Sequence, residues 1–233
     1  MYKKTFLILS CFFLINCESS SYDLVIKNGQ VFDGSGTESK TVDIAITGNT
    51  IIKVGKINSE KSTRVIDASG LIVSPGFIDT HAHLDPMDNF IKLSDSESHV
   101  RQGVTTSFGG PDGRGVPLKY GFKQYLDTIE KVGVGMNMGF LTGHNKIRRV
   151  VMNLDNREPT NDELEIMKNL ASKAMDEGAF GISTGLKYLP GNFSKVDEVI
   201  AISKEISNKG GIYTSHLRDE GLKIIDAVKE AIQ

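Results

Sequence analysis

The segment 71–83 reads LIVSPGFIDTHAH and places two histidines, His81 and His83, directly after an apolar run. The run is typical of a buried β-strand, and the Ser-Pro-Gly inside the segment is typical of a turn. Side chains alternate faces along a strand, so residues two apart project the same way with Cα atoms about 6.5–7 Å apart. Two imidazoles at that spacing can bind one metal ion. The segment therefore predicts a strand whose carboxyl end carries a metal site.

Residues 76–233 alternate between strand-like and helix-like patterns. The predicted strands are 77–83, 104–109, 134–141, 179–186 and 211–216. The predicted helices are 92–101, 118–131, 160–177, 195–209 and 221–232. Thr160 followed by Glu163 is the signature of a capping box at the start of the third helix. The alternation predicts parallel strands joined by crossovers, as in part of a (β/α)₈ barrel or in an open doubly wound sheet. No G-x-G-x-x-G follows the first of these strands, so nucleotide binding has no support.

Residues 22–75 contain five short, half-apolar segments separated by turn residues. The segments are 23–28, 30–33, 42–46, 51–54 and 63–67. Their alternating pattern predicts a small antiparallel β-domain that precedes the α/β part of the chain.

Residues 1–21 resemble a bacterial lipoprotein signal peptide. Two lysines precede an apolar stretch at 6–15 that is too short to span a bilayer. A leucine stands three residues before Cys17, as in a lipobox, although Asn16 departs from the usual small residue. We expect Cys17 to be lipidated and to anchor the protein at the periplasmic or outer-membrane face of the bacterial envelope. The alternative is a plain secretory peptide with an incidental cysteine.

The composition of the chain is that of an ordinary globular protein. Of 233 residues, 39% are apolar and 24% are charged, and the formal net charge is −2. A near-neutral charge gives no indication of nucleic-acid binding.

Polar residues follow several predicted strand ends, where parallel α/β proteins place their active sites. His216 ends the last predicted strand and is a candidate third metal ligand. Asp79 shares the alternating face of His81 and is expected to orient its imidazole. His144 is either a structural hydrogen-bonding residue or a site residue. Arg148 and Arg149 either bind an anion or form a solvated face.

Three further side chains each have two interpretations. Asp112 lies in Pro-Asp-Gly, a common turn tripeptide, and is either a metal ligand or a turn residue. Lys187 is either a carbamate that bridges two metals or an exposed lysine. Arg218 either binds a substrate carboxylate through its guanidinium or forms a salt bridge with Asp219 or Glu220.

Four motifs together resemble the N-acyl-D-amino-acid deacylases, the D-aminoacylases of the amidohydrolase superfamily. They are Pro75–His83, Gly143–Asn145, Gly178–Gly191 and Tyr213–Glu220. The resemblance covers residues 22–233. It implies a zinc-dependent amidohydrolase with a (β/α)₈ barrel and a small β-sandwich domain built from both chain ends.

The resemblance also implies a ligand set for one or two zinc ions. In that family the paired histidines hold one metal position, and the histidine of the fifth barrel strand and a cysteine hold the other. Asp112 stands where the family cysteine is expected, so the implied ligands are His81, His83, His216 and Asp112. Because a carboxylate replaces the cysteine, a carbamylated Lys187 that bridges two metal ions is a further option. Arg218 is the implied contact for the substrate carboxylate.

The length of the chain departs from the family pattern. A closed barrel needs eight strands and about 250 residues, whereas residues 76–233 supply about five strands. A histidine on the sixth strand and a general-base aspartate on the eighth have no counterpart before Gln233, so we expect an N-terminal fragment that is inactive alone. The implied reaction is hydrolysis of N-acyl, D-configured amino acids. Alternatives are another zinc amidohydrolase that acts on cyclic amides or dipeptides, and a non-catalytic, membrane-anchored binding lipoprotein.

Overall fold

The computed structural model describes residues 22–84, 94–116, 118 and 121–233. The chain divides into two compact units, Met1–Pro75 and Gly76–Gln233. The predicted leader, including Cys17, lies outside the described residues.

The described part of the first unit is one five-stranded β-sheet. Strand β1 (Tyr22–Val31) pairs antiparallel with β2 (Lys40–Thr47), which pairs antiparallel with β3 (Thr50–Gly55). Strands β4 (Ser62–Asp67) and β5 (Ile72–Val73) both pair parallel with β1. The predicted antiparallel arrangement thus holds for β1 to β3 only, because hairpins join these strands and a crossover leads to β4.

The second unit contains parallel strands that neighbour one another in chain order. They are β6 (Phe77–Asp79), β7 (Val104–Gly109), β8 (Asn137–Phe140), β9 (Thr142–Gly143), β10 (Gly181–Gly185) and β11 (Ile212–His216). One ladder joins β6, β7 and β8, and a second joins β9, β10 and β11. Only Leu141 separates β8 from β9, so these two segments follow one another along the same line. The two ladders together form a row of five parallel strands, which we call the barrel arc. This order confirms part of a (β/α)₈ barrel, because a doubly wound sheet reverses its order at a switch point.

Six helices of the second unit lie within the described residues. They are α1 (Glu97–Val100), α2 (Phe122–Val132), α3 (His144–Met152), α4 (Asn161–Asp176), α5 (Val196–Ser207) and α6 (Ile224–Ile232). The capping box at the start of α4 is confirmed: the Thr160 hydroxyl accepts the Glu163 backbone N–H, and Glu163 accepts the Thr160 N–H. Helix α3 was not predicted from the sequence.

Two apolar clusters pack the helices of this unit against the strands. One joins α2 to β8 through Phe122, Tyr125, Ile129 and Phe140. The other joins α3, α4, α5 and β10, and contains Ile147, Met167, Ala171, Ile182, Ile202 and Ile206. Burial of these side chains at about 1.5–3 kcal/mol each holds the strand ends at fixed positions.

The two outer strands of the barrel arc, β6 and β11, carry exposed apolar side chains. Phe77 and Ile78 on β6 are each 62% exposed, and Ile212 on β11 is 54% exposed. None of the described helices is long and apolar enough to cross a membrane.

Candidate metal centre

The first two candidate ligands follow the end of β6. The strand ends at Asp79, earlier than the predicted His83, but the Ala82 backbone N–H still donates to the Phe108 carbonyl at 3.0 Å. Local pairing with β7 therefore continues, and His81 and His83 flank the paired residue on the same side. Their ring centroids are 5.4 Å apart, and both side chains are about half exposed.

Asp112 lies between the histidines and is only 9% exposed. Its Oδ1 is 3.5 Å from His81 Nε2, and its Oδ2 is 3.2 Å from His83 Nε2. His216, at the end of β11, approaches from the other side, with Nδ1 3.5 Å from Asp112 Oδ1. The structure thus brings together all four side chains that the sequence analysis named as ligands.

The spacing of these atoms fits a shared cation better than direct hydrogen bonds. Two ligand atoms bound to zinc at 2.0–2.2 Å and at the tetrahedral angle lie about 3.3–3.5 Å apart. The N···O distances around Asp112 match that value, and Oδ1 is buried without a hydrogen bond from any described residue. His81, His83 and Asp112 each place one ligand atom within 4.8 Å of the others. The residues present therefore fit a metal ion.

The turn that carries Asp112 is fixed by a buried serine. Ser183 on β10 accepts the Gly113 backbone N–H at 3.0 Å and donates to the Gly110 carbonyl at 2.6 Å. Asp112 itself has a left-handed φ of 56°, which aspartate tolerates better than most residues. A Cβ on Gly113 would meet Asn145 Oδ1 at 2.1 Å, so only glycine fits there.

The sequence analysis gave Ser183 no role at this site. The feature of the sequence that could have indicated this role is a pair of hydroxyl residues, Ser183 and Thr184, inside a strand that is buried on both faces. Such strands in parallel sheets are usually continuous apolar runs.

A carboxylate lies near the second ring nitrogen of His216. Glu220 Oε1 is 3.4 Å from His216 Nε2, and Glu220 Oε2 accepts a hydrogen bond from Lys187 Nζ at 3.0 Å. The Tyr188 hydroxyl lies 3.4 Å from His216 Nδ1. The Glu220 contact is an ion-pair distance and not a hydrogen bond, since His216 Nε2 is buried without a hydrogen-bond partner among the described residues.

Lys187 is engaged as an ammonium and not at the centre of the cluster. Its hydrogen bond to Glu220 and the charge of that carboxylate raise the pKa of Lys187, and the same contacts lower the pKa of Glu220. Carbamylation requires the neutral amine, so the ion pair opposes the bridging interpretation and favours the exposed lysine.

Arg218 does not face the cluster. Its Nε lies 2.9 Å from Glu230 Oε2, and its terminal nitrogens donate to Glu230 and to the carbonyls of Asn192 and Ser194. The predicted contact with a substrate carboxylate is not supported, because this guanidinium is already paired. The alternative partners, Asp219 and Glu220, are also not the ones observed.

His144 and Arg148 form a buried cluster with Glu198. Glu198 Oε1 lies 2.8 Å from His144 Nε2, and Glu198 Oε2 accepts from Arg148. Burial alone would raise the pKa of Glu198, but the hydrogen bonds and charges of the two cations lower it. This geometry supports the structural interpretation of His144.

Asp79 has a local role in the structure. Its Oδ1 accepts the His81 backbone N–H at 3.0 Å, and its Oδ2 is 3.9 Å from the ring of His99. It therefore fixes the turn before the paired histidines, and the expected contact with the His81 imidazole is not observed.

Comparison with known proteins relates this geometry to a family. The model of an amidohydrolase family matches residues 64–224. The D-aminoacylase of Alcaligenes xylosoxydans xylosoxydans is 33% identical over 236 residues, which covers 93% of this chain and 48% of that protein.

Two solved structures resemble the chain closely. A D-aminoacylase structure that concerns its binuclear metal centre superposes with a TM-score of 0.81 at 33% identity. N-acyl-D-glutamate deacylase from Bordetella bronchiseptica, solved with zinc and a phosphonate inhibitor, superposes with a TM-score of 0.82 at 28% identity. Each match covers 90% of this chain and 48% of the other. The chain thus spans about half the length of the relatives it matches.

Proposed function

The chain belongs to the amidohydrolase family, and from this premise we propose that it supplies the metal-binding side of a zinc-dependent site that hydrolyses N-acyl amino acids. The observation that carries the proposal is the convergence of His81, His83 and His216 on the buried Asp112 carboxylate, at 3.2–3.5 Å. These residues come from three different strand ends of one barrel arc, where enzymes of this fold gather their active-site residues.

The donor set suits a divalent metal of borderline softness. Three imidazoles and one carboxylate are nitrogen and oxygen ligands that zinc accepts, for one or two ions. These residues would hold a zinc ion, which would supply Lewis acidity toward an amide carbonyl and toward water near neutral pH.

The residues of this chain have distinct tasks in the proposed site. Asp112 places its two oxygens toward different histidines and neutralises positive charge in a buried position. Glu220 places a negative charge near His216, while Ser183 fixes the turn that carries Asp112. The half-exposed His81 and His83 leave the site open to a substrate.

Similarity to D-aminoacylase and to N-acyl-D-glutamate deacylase supports N-acyl, D-configured amino acids as the substrates. The family resemblance implies an aspartate as the general base. Such a group must reach the scissile amide to take and return a proton.

The test is metal content and hydrolysis by the purified protein. We expect zinc to remain after dialysis and N-acetyl-D-methionine to be cleaved faster than its L-isomer or dihydrouracil. Asp112→Asn should lose both zinc and activity, whereas Asp127→Asn, a matched change of an exposed carboxylate on α2, should lose neither. Zinc retention by Asp112→Asn would contradict the site, and zinc binding without hydrolysis would indicate a non-catalytic metal protein.

We also propose that Cys17 anchors the protein to the bacterial envelope, on the periplasmic or outer-membrane face. The support is the leader sequence alone: a basic start, an apolar stretch at 6–15 and a leucine three residues before the cysteine.

A further inference from the structure

The first turn of α3 presents a buried amide to the loop after β10. Asn145 is 7% exposed, and its carboxamide bonds to the backbone of residues 185–191, which we call the β10 loop. The Gly185 N–H donates to Asn145 Oδ1 at 3.0 Å. Asn145 Nδ2 donates to the carbonyls of Gly185 and Tyr188 at 2.9 and 3.3 Å. One side chain thus exchanges both bonds with Gly185, as a paired residue of a neighbouring strand does.

Glycine backbone encloses this carboxamide. A Cβ on Gly191 would lie 2.5 Å from Asn145 Oδ1 and 2.6 Å from Nδ2. A Cβ on Gly113, in the turn that carries Asp112, would overlap the same oxygen. Because neither glycine has a side chain, both chain segments can close on the amide. Asn145 therefore lies where the turn after β7 and the β10 loop meet.

The residues on each side of Asn145 are themselves anchored. His144 is fully buried, and its Nε2 lies 2.8 Å from Glu198 Oε1 on α5. The Lys146 N–H donates to the Gly113 carbonyl at 3.2 Å. The carboxamide of Asn145 thus projects from a helix turn that is fixed on both flanks, so it can support the β10 loop.

The β10 loop in turn contacts two of the proposed metal ligands. A Cβ on Gly185 would overlap the Asp112 carbonyl oxygen, so these two backbone segments lie in close contact. The Leu186 N–H donates to the His216 carbonyl at 3.0 Å, and the Tyr188 hydroxyl lies 3.4 Å from His216 Nδ1. A shift of the loop would therefore move Asp112 and His216 relative to each other.

We propose that Asn145 is a positioning residue for the metal centre, which holds Asp112 and His216 in register through the β10 loop. The inference deepens the proposed function and rests on it for the metal. Its three hydrogen bonds go to the loop and to neither ligand, so Asn145 acts on the metal only through the backbone. Ligands must be held within about 0.5 Å of their working geometry, and loss of outer partners costs about 10–100-fold in metal affinity.

The first measurement is the zinc affinity of Asn145→Ala in the purified protein, by competition with a chromophoric chelator. We expect the zinc Kd to rise about tenfold, because the loop loses all three bonds to the amide. Ile129→Val is the control, since it removes one buried methyl group from the core around α2. This control should lower the urea midpoint of unfolding and leave the zinc Kd unchanged. A merely structural role of Asn145 predicts that same pattern for Asn145→Ala.

The second measurement is hydrogen exchange of the zinc-free protein, followed by mass spectrometry. Asn145→Ala should speed exchange in residues 185–191 about tenfold and leave residues 122–132 unchanged, because only the β10 loop loses bonds. Ile129→Val should do the reverse. This readout requires neither metal nor substrate.

Gly191→Ala displaces the same amide without changing Asn145. Its methyl group would press on both Oδ1 and Nδ2, so we expect weaker zinc binding and faster exchange in residues 185–191, as in Asn145→Ala. This variant decides the inference if Asn145→Ala does not fold.

An unchanged zinc Kd in both variants would overturn the inference, even with faster exchange in the β10 loop. That result would leave the proposed hydrolysis intact, since N-acetyl-D-methionine would still be cleaved. If the unmodified protein binds zinc and hydrolyses no N-acyl amino acid, the proposed substrate fails. The zinc Kd of the two variants then still decides the role of Asn145.

Discussion

Replacement of Glu220 by glutamine tests whether a carboxylate outside the metal cluster controls metal affinity. Glu220 Oε1 lies 3.4 Å from His216 Nε2, and its other oxygen is held by Lys187 at 3.0 Å. Glutamine keeps the length of the side chain but removes the negative charge. The Nε2 side of His216 then loses its negatively charged neighbour, and such outer carboxylates support metal binding by a ligating histidine.

The structure sets the size of the expected effect. Loss of such an outer carboxylate costs about 10–100-fold in metal affinity. Glu220 is 52% exposed and its contact with His216 is longer than an ordinary hydrogen bond, so the low end applies. We expect zinc to bind about tenfold more weakly. Lys187→Met should cost less than about fivefold, because Lys187 acts only through an exposed ion pair.

The assay is competition for zinc between the full-length protein and a chromophoric chelator. Glu97→Gln is the control, since Glu97 is also an exposed, ion-paired carboxylate but lies on α1. Wild-type affinity in Glu220→Gln would refute the reasoning. A larger loss in Lys187→Met than in Glu220→Gln would instead identify Lys187 as a direct, carbamylated ligand.

Three other changes test separate parts of the structure. Glu198→Gln should destabilise the fold by about 3 kcal/mol at pH 7, because it leaves the buried Arg148 guanidinium without its carboxylate and removes the partner of His144. Because the pKa of Glu198 is lowered in the folded protein, the ionised carboxylate stabilises the fold above pH 4.5, and this stabilisation is lost as the pH falls further. The melting temperature of the variant should therefore depend less on pH below 4.5 than that of the unmodified protein. Ser183→Ala should cost about 2 kcal/mol in urea unfolding and weaken zinc binding, because two buried backbone groups around Asp112 lose their partner. Cys17→Ser should move the protein from the membrane fraction to the soluble fraction, and an unchanged distribution would exclude the lipid anchor.

The barrel arc was predictable because its strands and helices alternate clearly. The strand 104–109 was predicted to the residue, three others differ only at their ends, and the predicted strand 134–141 is observed as β8 followed by the separate, unpredicted β9. Helix α3 escaped prediction because it begins directly after Gly143, which supplies no side-chain cap. Its sequence, HNKIRRVVM, also hides the apolar face, since the buried His144 and Arg148 stand where apolar residues are expected.

The metal cluster was predictable from strand periodicity and family motifs, whereas the contacts around it were not. The sequence analysis considered only Asp219 and Glu220 as salt-bridge partners of Arg218. The observed partner, Glu230, lies on α6, twelve positions further along the chain. The hydrogen bonds of Ser183 to residues 110 and 113 join positions about 70 residues apart, which only the parallel strand order brings together.

Asp112 shows that the two interpretations of Pro-Asp-Gly are compatible. The turn is real: the Arg114 backbone N–H donates to the Pro111 carbonyl at 3.0 Å. The left-handed backbone at Asp112 turns its side chain into the space between β6 and β11, so the turn itself creates the ligand position. The family cysteine offers one sulfur at that place, whereas the two oxygens of a carboxylate reach His83 on one side and His81 and His216 on the other. A carboxylate at this position would therefore still hold a cation beside the histidines, and the harder ligand would shift the site toward harder metals.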